Sequence, residues 1–313
     1  MTPRDKALKI IQDHQKSRQP LENVAWEDLE LQQVTLEGLT FQGGSLKGSN
    51  LSACYIKDCI FDQINLDNVE FIRTQVANCS FSNLNITKSQ FSKSNFSKTI
   101  FNNCLLTDCD LRDITLLDCR FGGKMEFGSS NLEKAIFFDC AFKLARFFDS
   151  NLRLTVWRRA SFDSLTIDNC YAAQFSACGL KLDGFSANKS DLSSASFIES
   201  SLKEANLSGL NLNGSYFSRA DLTGANLSMS QAAYAVFEEA ILRGANLSGL
   251  KATYADLTGA DLTGALVSGS IFHFANLHRT EGLKPDSGAD LANALPTNEA
   301  LKKAEDFRPI KFS

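Results

Sequence analysis

An apolar residue returns at every fifth position through most of this chain, and that spacing rules out both common secondary structures as the organising unit. In "ADLTGADLTGAL", residues 255–266, Leu257 and Leu262 are the centres of two pentads. The same phase runs back through Leu242, Phe217, Leu192 and Phe147 to Phe127. After a one-residue break in "FGGKMEF", a second phase runs from Phe121 through Phe101, Phe81 and Phe61 to about Leu21. Counting by fives, residues 21 to 121 hold 21 pentads and 127 to 277 hold 31, so 52 pentads fill most of the chain. Two residues before each centre the side chain is small, as at Ala225, Ala240 and Ala260 or Ser49, Ser89 and Ser94. The other three positions are mostly polar or glycine. Two inward sites in every five residues match neither a helix period of 3.6 nor a strand period of 2. The chain must turn about once per pentad, which is how a solenoid behaves.

The pentads "ADLTG", "ANLSM", "ANLSG" and "SNLSA" closely resemble the pentapeptide repeat family, whose consensus is A(D/N)Lxx, and the resemblance covers roughly residues 21–279. It implies a right-handed quadrilateral parallel β-helix with four pentads per coil and the central Leu or Phe pointing inward. On that basis the 52 pentads make about 13 coils. At about 4.8 Å per coil the rod is roughly 60 Å long. The expected organisation is a capping helix within 1–20, the β-helix over 21–279 with its phase break near 122–126, and a partly helical tail over 280–313.

Only five prolines occur, with none between Pro20 and Pro285, as a ladder that needs its backbone donors requires. No apolar run approaches the roughly 20 residues of a membrane span. The start, "MTPRDKALKIIQDHQ", is too polar for a signal peptide. A bacterial cytoplasmic protein is expected, although export by a specialised secretion machine would leave no such mark. Eight of the nine cysteines (Cys54, Cys59, Cys79, Cys104, Cys109, Cys119, Cys140 and Cys170) occupy the small inward position, and Cys178 points outward. A buried free cysteine acts as a small hydrophobe. An odd count without any CxxC pair fits a reducing compartment.

Both ends of a solenoid need covering. Thr2, Pro3 and Asp5 form a helix start, and Ala7, Leu8, Ile10 and Ile11 follow on one face, so a helix is expected from 2 to about 16. Past Leu277 the pattern fades, and Thr297 is expected to cap a short helix through Phe307. This tail is expected to cover the end or to pair two copies. Inside the repeat, Phe175 with Ala177, Phe185 with Ala187, and Leu250 with Ala252 exchange large and small sites. Such swaps conserve core volume.

No catalytic constellation is present, and no HExxH, GxSxG or phosphate-binding glycine loop occurs. His14 lies in the leading helix, and His273 and His278 at the last coils read as solvated surface. An enzyme is not expected, nor a cofactor or a metal. Function then lies on the surface, where two departures from the polar consensus stand out. A belt over 134–159 carries Ile136, Phe138, Leu144, Phe148, Leu154 and Val156 among Lys143, Arg146, Arg153, Arg158 and Arg159. The 20-residue coil should place Arg158 over Phe138 as a cation–π pair. Phe138, Lys143, Arg146, Phe148, Arg153, Arg158 and Arg159 are therefore candidate protein-binding residues. The second departure is Tyr234, Tyr254 and Phe274, 20 residues apart, an aromatic ladder near the C-terminal end and a candidate homodimer contact. The competing reading is that like side chains merely stabilise stacked coils.

The leading expectation is a non-enzymatic scaffold that binds another protein. An adaptor or effector role in a bacterial secretion system would suit it. The resemblance also implies an alternative, since some members imitate duplex DNA and inhibit or protect DNA gyrase and topoisomerase IV, as the quinolone-resistance proteins do. About 60 Å of rod matches roughly 18 base pairs, which would carry about 36 negative charges. Here residues 21–121 carry −5 (13 acidic, 8 basic), 161–278 carry −5 (11 against 6), and 122–160 carry +3 (4 against 7). A basic belt thus interrupts weakly acidic flanks. The projecting loops of the quinolone-resistance members are missing too, because the period admits a single inserted residue. Direct nucleic-acid binding is not expected.

Overall fold

The computed structural model describes residues 1–284 and 286–306, and its contacts divide them into two compact units. One comprises 1–181 with 189–191; the other comprises 182–188 with the residues from 192 onward. Both are built from parallel, β-helical turns.

In the first unit eight strands, from Leu21–Ala25 to Ser161–Asp168, stack in parallel on one side. Seven shorter ones, from Thr35–Glu37 to Val156–Arg158, stack on another. Neighbouring strands pair residues 20 apart, as Phe41 with Phe61 and Phe61 with Phe81. Two residues after most centres the backbone enters the left-handed region, as at Asn78, Asn83 and Asp108. Asn and Asp tolerate that conformation better than most side chains. Each such corner redirects the chain, so every centre points inward again. The phenylalanines of one column lie flat on each other: Phe41, Phe61, Phe81 and Phe101 follow at 5.0, 4.7 and 5.2 Å between ring centres.

The small inward site has its own logic. The Ser89 hydroxyl, fully buried, donates to the Leu66 carbonyl of the preceding turn at 2.6 Å. Cys109 Sγ makes the equivalent contact to Ile86 at 3.5 Å. Serine and cysteine are thus interchangeable there, because each has a donor that reaches a carbonyl the turn presents. All eight cysteines expected inside are buried and free, and Cys178 is exposed.

The phase break is a bulge. Phe121 pairs with Phe101 and Met125 with Cys104, so the extra residue lies within 122–124. Gly123 takes φ +62°, and a Cβ there would come within 2.0 Å of Asn103 Oδ1. Glycine is what lets one more residue fit on the same rung. The exchanged pair Phe175 and Ala177 is fully buried, with Phe175 packed edge-on against Trp157 at 4.6 Å. Phe162, at a repeat centre, is only half-buried.

Helix α1, Pro3–Ser17, starts on a capping box in which Thr2 Oγ1 accepts from Asp5 N and Asp5 Oδ2 accepts from Thr2 N. It buries Ala7 and Ile11, and Arg4 donates to the Glu30 carbonyl at 2.8 Å. Ile10, expected on the same face, is exposed.

The second unit keeps the 20-residue register but carries a regular strand only at Ser186–Asn188. Isolated parallel bridges follow, from Ser186 with Asn206 to Asp261 with Glu281. Nine of its pentads end in glycine, and Gly224, Gly244 and Gly259 take φ near +65°. A two-residue turn in every pentad leaves one residue free to pair. Strand-built turns therefore number about eight, fewer than the 13 coils expected. Pairing also extends past 279: Ile271 meets Asp290 and Asn276 meets Leu295, a spacing of 19. Helix α2, Glu299–Glu305, is capped by Asn298, whose Oδ1 accepts from Ala300 and Leu301. Thr297 does not cap it, because its hydroxyl accepts from Arg279 N at 3.0 Å instead. Phe307, the expected helix end, lies outside the described residues.

Candidate protein-binding surface

With four pentads to a turn, centres five apart face adjacent sides and centres ten apart face opposite sides. The seven belt residues are consequently distributed around the turn. Phe138 and Arg158 flank centres Phe137 and Trp157 on one side. Lys143 follows Phe142, and Arg146 and Phe148 flank Phe147 on the strand Ala141–Phe148, with the latter two opposite Phe138. Arg153 follows Leu152 on the remaining side. No single flat partner meets all seven.

The Phe138 side is the most continuous. Leu117, Phe138 and Arg158 stack in register, and Thr115, Ile136 and Val156 stack beside them. Leu117 and Ile136 are 43% and 40% exposed. Leu117 went unremarked in sequence because the phase break makes its partner 21 residues away. The expected cation–π partner is also corrected: the guanidinium 4.3 Å above Phe138 belongs to Arg159, not Arg158. The cause is Asp139, which accepts from Arg159 Nε at 2.6 Å and Nη2 at 2.5 Å and so lays that guanidinium beside the ring. The same hydrogen bonds hold the Asp139 carboxyl below the ordinary carboxylate range.

Half of the belt's six cations are neutralised locally, Arg159 by Asp139 among them. Arg153 pairs with Glu133 at 2.6 Å, Lys124 with Glu126 at 2.9 Å, and Arg146 with Asp168 at 3.2 Å. Lys134, Lys143 and Arg158 make no ion pair among the described residues. Arg146 also lies 4.8 Å above the Phe148 ring, which itself rests on Gly128, where a Cβ would come within 2.2 Å of it.

In the second unit Tyr234, Tyr254 and Phe274 stack with centroids 5.1 and 5.0 Å apart and planes within 12°. All three sit at left-handed corners, and they are 63%, 48% and 44% exposed. Ring faces cover one another along the column, so the ring edges and two hydroxyls meet solvent.

His278, expected at the surface, is only 6% exposed. Its Nδ1 lies 3.1 Å from Asn298 N and its Nε2 3.2 Å from Glu305 Oε2. The helix that buries it starts beyond the repeat, so the period carried no signal for it. His273 Nε2 lies 2.7 Å from Asp290 Oδ2. Among the described residues no group of three or more His, Cys, Asp or Glu could hold a metal, and no helix is long and apolar enough to cross a membrane.

No curated protein matches the chain. Among solved structures it is similar to HetL, a pentapeptide repeat protein involved in heterocyst differentiation regulation from the cyanobacterium Nostoc sp. strain PCC 7120. The two share 19% identity over 91% of this chain and 92% of that one, with a TM-score of 0.37. It is also similar to QnrB1, a plasmid-mediated fluoroquinolone resistance protein, at 18% identity over 74% and 100% of the two chains and a TM-score of 0.27. A pentapeptide repeat protein of the Arabidopsis thaliana thylakoid lumen shares 32% identity over 34% of this chain and 71% of its own, with a TM-score of 0.24. Family models match directly: the pentapeptide repeat region over 34–111, and pentapeptide repeats (8 copies) over 190–228, 233–269 and 253–281. Together they span more than half of the sequence, and the chain belongs to the pentapeptide repeat family.

Proposed function

We propose that this chain is a non-enzymatic scaffold that binds another protein through the side carrying Leu117, Ile136, Phe138, Val156 and Arg158. The observation that carries the reading is a flat apolar strip ending in a guanidinium that has no ion pair among the described residues. Aromatic residues and arginine anchor protein interfaces, and an exposed apolar strip on a polar repeat departs from what solubility requires. An adaptor or effector of a bacterial secretion system is the setting such a scaffold would suit. Pull-down from a bacterial host tests it with two variants. Ile136→Ser with Phe138→Ser and Arg158→Ser should abolish capture, whereas Arg146→Ser with Phe148→Ser, on the opposite side, should leave it intact. Equal capture by both would remove the strip as the epitope.

We also propose that the Tyr234, Tyr254 and Phe274 ladder and the tail after it mediate a homodimer. Light scattering on the full chain, and on one carrying Ser at all three ladder positions, should read dimer and monomer respectively. The alternative of gyrase inhibition by DNA mimicry predicts salt-sensitive inhibition of supercoiling. The belt's net +3 argues against it.

A further inference from the structure

Every arginine of the belt except one has a carboxylate on a neighbouring rung. Arg153 meets Glu133 at 2.6 Å, Arg159 meets Asp139 at 2.5 Å and Arg146 meets Asp168 at 3.2 Å. Arg158 makes no ion pair among the described residues. Its column explains the exception. Leu117, Phe138 and Arg158 follow one another in register, and Cys178 comes next because Val156 pairs with Ser176. Neither neighbour of Arg158 can offer a carboxylate. Arg158 is therefore an exposed, planar fork of donors on the same side as Ile136, Phe138 and Val156.

Asp139 sharpens the contrast between the two adjacent arginines. It accepts from Arg159 and lays that guanidinium 4.3 Å above the Phe138 ring. Arg159 is thus committed to both a carboxylate and a ring, and Arg158 to neither among the described residues. Charge is also distributed unevenly along the strip. Residues 134–139 and 154–159 carry Lys134, Arg158 and Arg159 against Asp139, or +2, in a chain of −4. The rung below them, 113–118, carries Asp113 and Asp118 alone, or −2, and the rung beyond, 174–179, carries no charge. The strip is consequently negative beside Leu117 and positive beside Val156.

A strip of this kind is complementary to apolar side chains followed by an acidic one. Guanidinium and carboxylate meet through two parallel hydrogen bonds, and aromatic and arginine side chains anchor protein interfaces. Nucleic acid fits less well, because a phosphate backbone asks for cations on successive rungs and the rung at 113–118 is acidic. We propose, on the reading that this strip binds a protein, that the partner presents an acidic, apolar segment. Its glutamate or aspartate sits on Arg158, and its apolar side chains cover Ile136, Phe138 and Val156.

The test pans a display library of random linear peptides on the full chain and screens the survivors against Ile136→Ser with Phe138→Ser. Peptides lost on that double variant are the ligands of the strip, and they should pair apolar residues with Asp or Glu. A selected peptide, followed by fluorescence anisotropy, should bind Arg158→Glu more weakly by about tenfold or more. Replacing its acidic residue by Lys should restore binding to Arg158→Glu and weaken binding to the unsubstituted chain. None of the three positions is buried, so each variant should keep the circular dichroism of the unsubstituted chain. Strip-dependent peptides that are neutral or basic, or acidic ones indifferent to Arg158→Glu, overturn the proposal and leave the strip as an interface. It is equally overturned if no peptide depends on the strip, or if a DNA duplex binds there in their place. The strip as a protein-binding surface falls with it only if the pull-down above also shows no dependence on Ile136, Phe138 and Arg158.

Discussion

The two units obey one register and fill it differently. In the first, a column of stacked phenylalanines runs from Phe41 to Phe142, with Phe121 and Phe142 as close as 4.1 Å. Its second inward site holds whatever volume remains, from Ser89 and Cys119 to Val69, Leu84 and Ile114, all buried. In the second unit, leucine at the centre stands against alanine: Leu222 with Ala220, Leu242 with Ala240, and Leu262 with Ala260, all at 1% exposure or less. A turn in every pentad tightens the second unit's corners, while longer strands run through some corners of the first. The comparison shows that the register fixes which positions point inward and not how large their side chains are, since phenylalanine with valine, leucine or isoleucine fills more volume than leucine with alanine. Serine or cysteine is admitted wherever a carbonyl lies in reach.

That view can be broken most directly in the phenylalanine column. Phe81→Ala or Phe101→Ala should cost on the order of 3–5 kcal/mol, the loss expected when a buried ring leaves a cavity. Phe162→Ala, at the same repeat position but half-buried, should cost distinctly less. Urea denaturation reads all three, and equal losses would mean that repeat position matters more than packing.

The second unit offers the converse. Ala225, fully buried, sits where the first unit elsewhere accepts valine or isoleucine. Ala225→Val should nevertheless destabilise by about 1–3 kcal/mol, because the leucine centres around it leave no spare volume. A neutral result would show that these turns expand freely.

A milder contrast concerns the thiols. Burial pushes Cys104 and Cys170 up to about 11 and Cys109 up to about 12. An unfolded chain releases thiol protons near pH 8.5. The folded chain therefore holds more protons between there and the raised values, and stability should decline as pH rises through that window. Alkylation at neutral pH should label Cys178 alone until the chain unfolds, and more than one labelled site in the native protein would contradict the packing.

The smallest effect belongs to the surface ladders. Glu133→Gln removes a carboxylate paired with Arg153, with both side chains partly exposed at 27% and 37%. Such pairs are worth at most about 1 kcal/mol. A larger loss in the same denaturation assay would mean that these ladders hold the turns together.

The period made a solenoid legible, and the resemblance to the pentapeptide repeats supplied the quadrilateral β-helix. Five-residue spacing, the small companion site and the inward cysteines all report burial, and burial in a solenoid depends on sequence position modulo five. The phase break was readable for the same reason, since one inserted residue shifts every later centre. Failures came where contacts are decided outside the period. Arg159 displaced Arg158 over Phe138 because Asp139 steers its side chain, and Leu117 joined the strip because the bulge altered its neighbour. The belt dispersed over the sides of a turn because nearness along the chain says little about which side a residue faces.

The sequence by itself thus determined the repeat, its core and its register, because each pentad must bury two side chains and then turn. Only the tertiary structure decided which outward residues share a side and which guanidinium meets which ring. It alone showed that His278 is covered by a helix beginning 21 residues later, since these contacts join rungs whose outward positions no local pattern constrains.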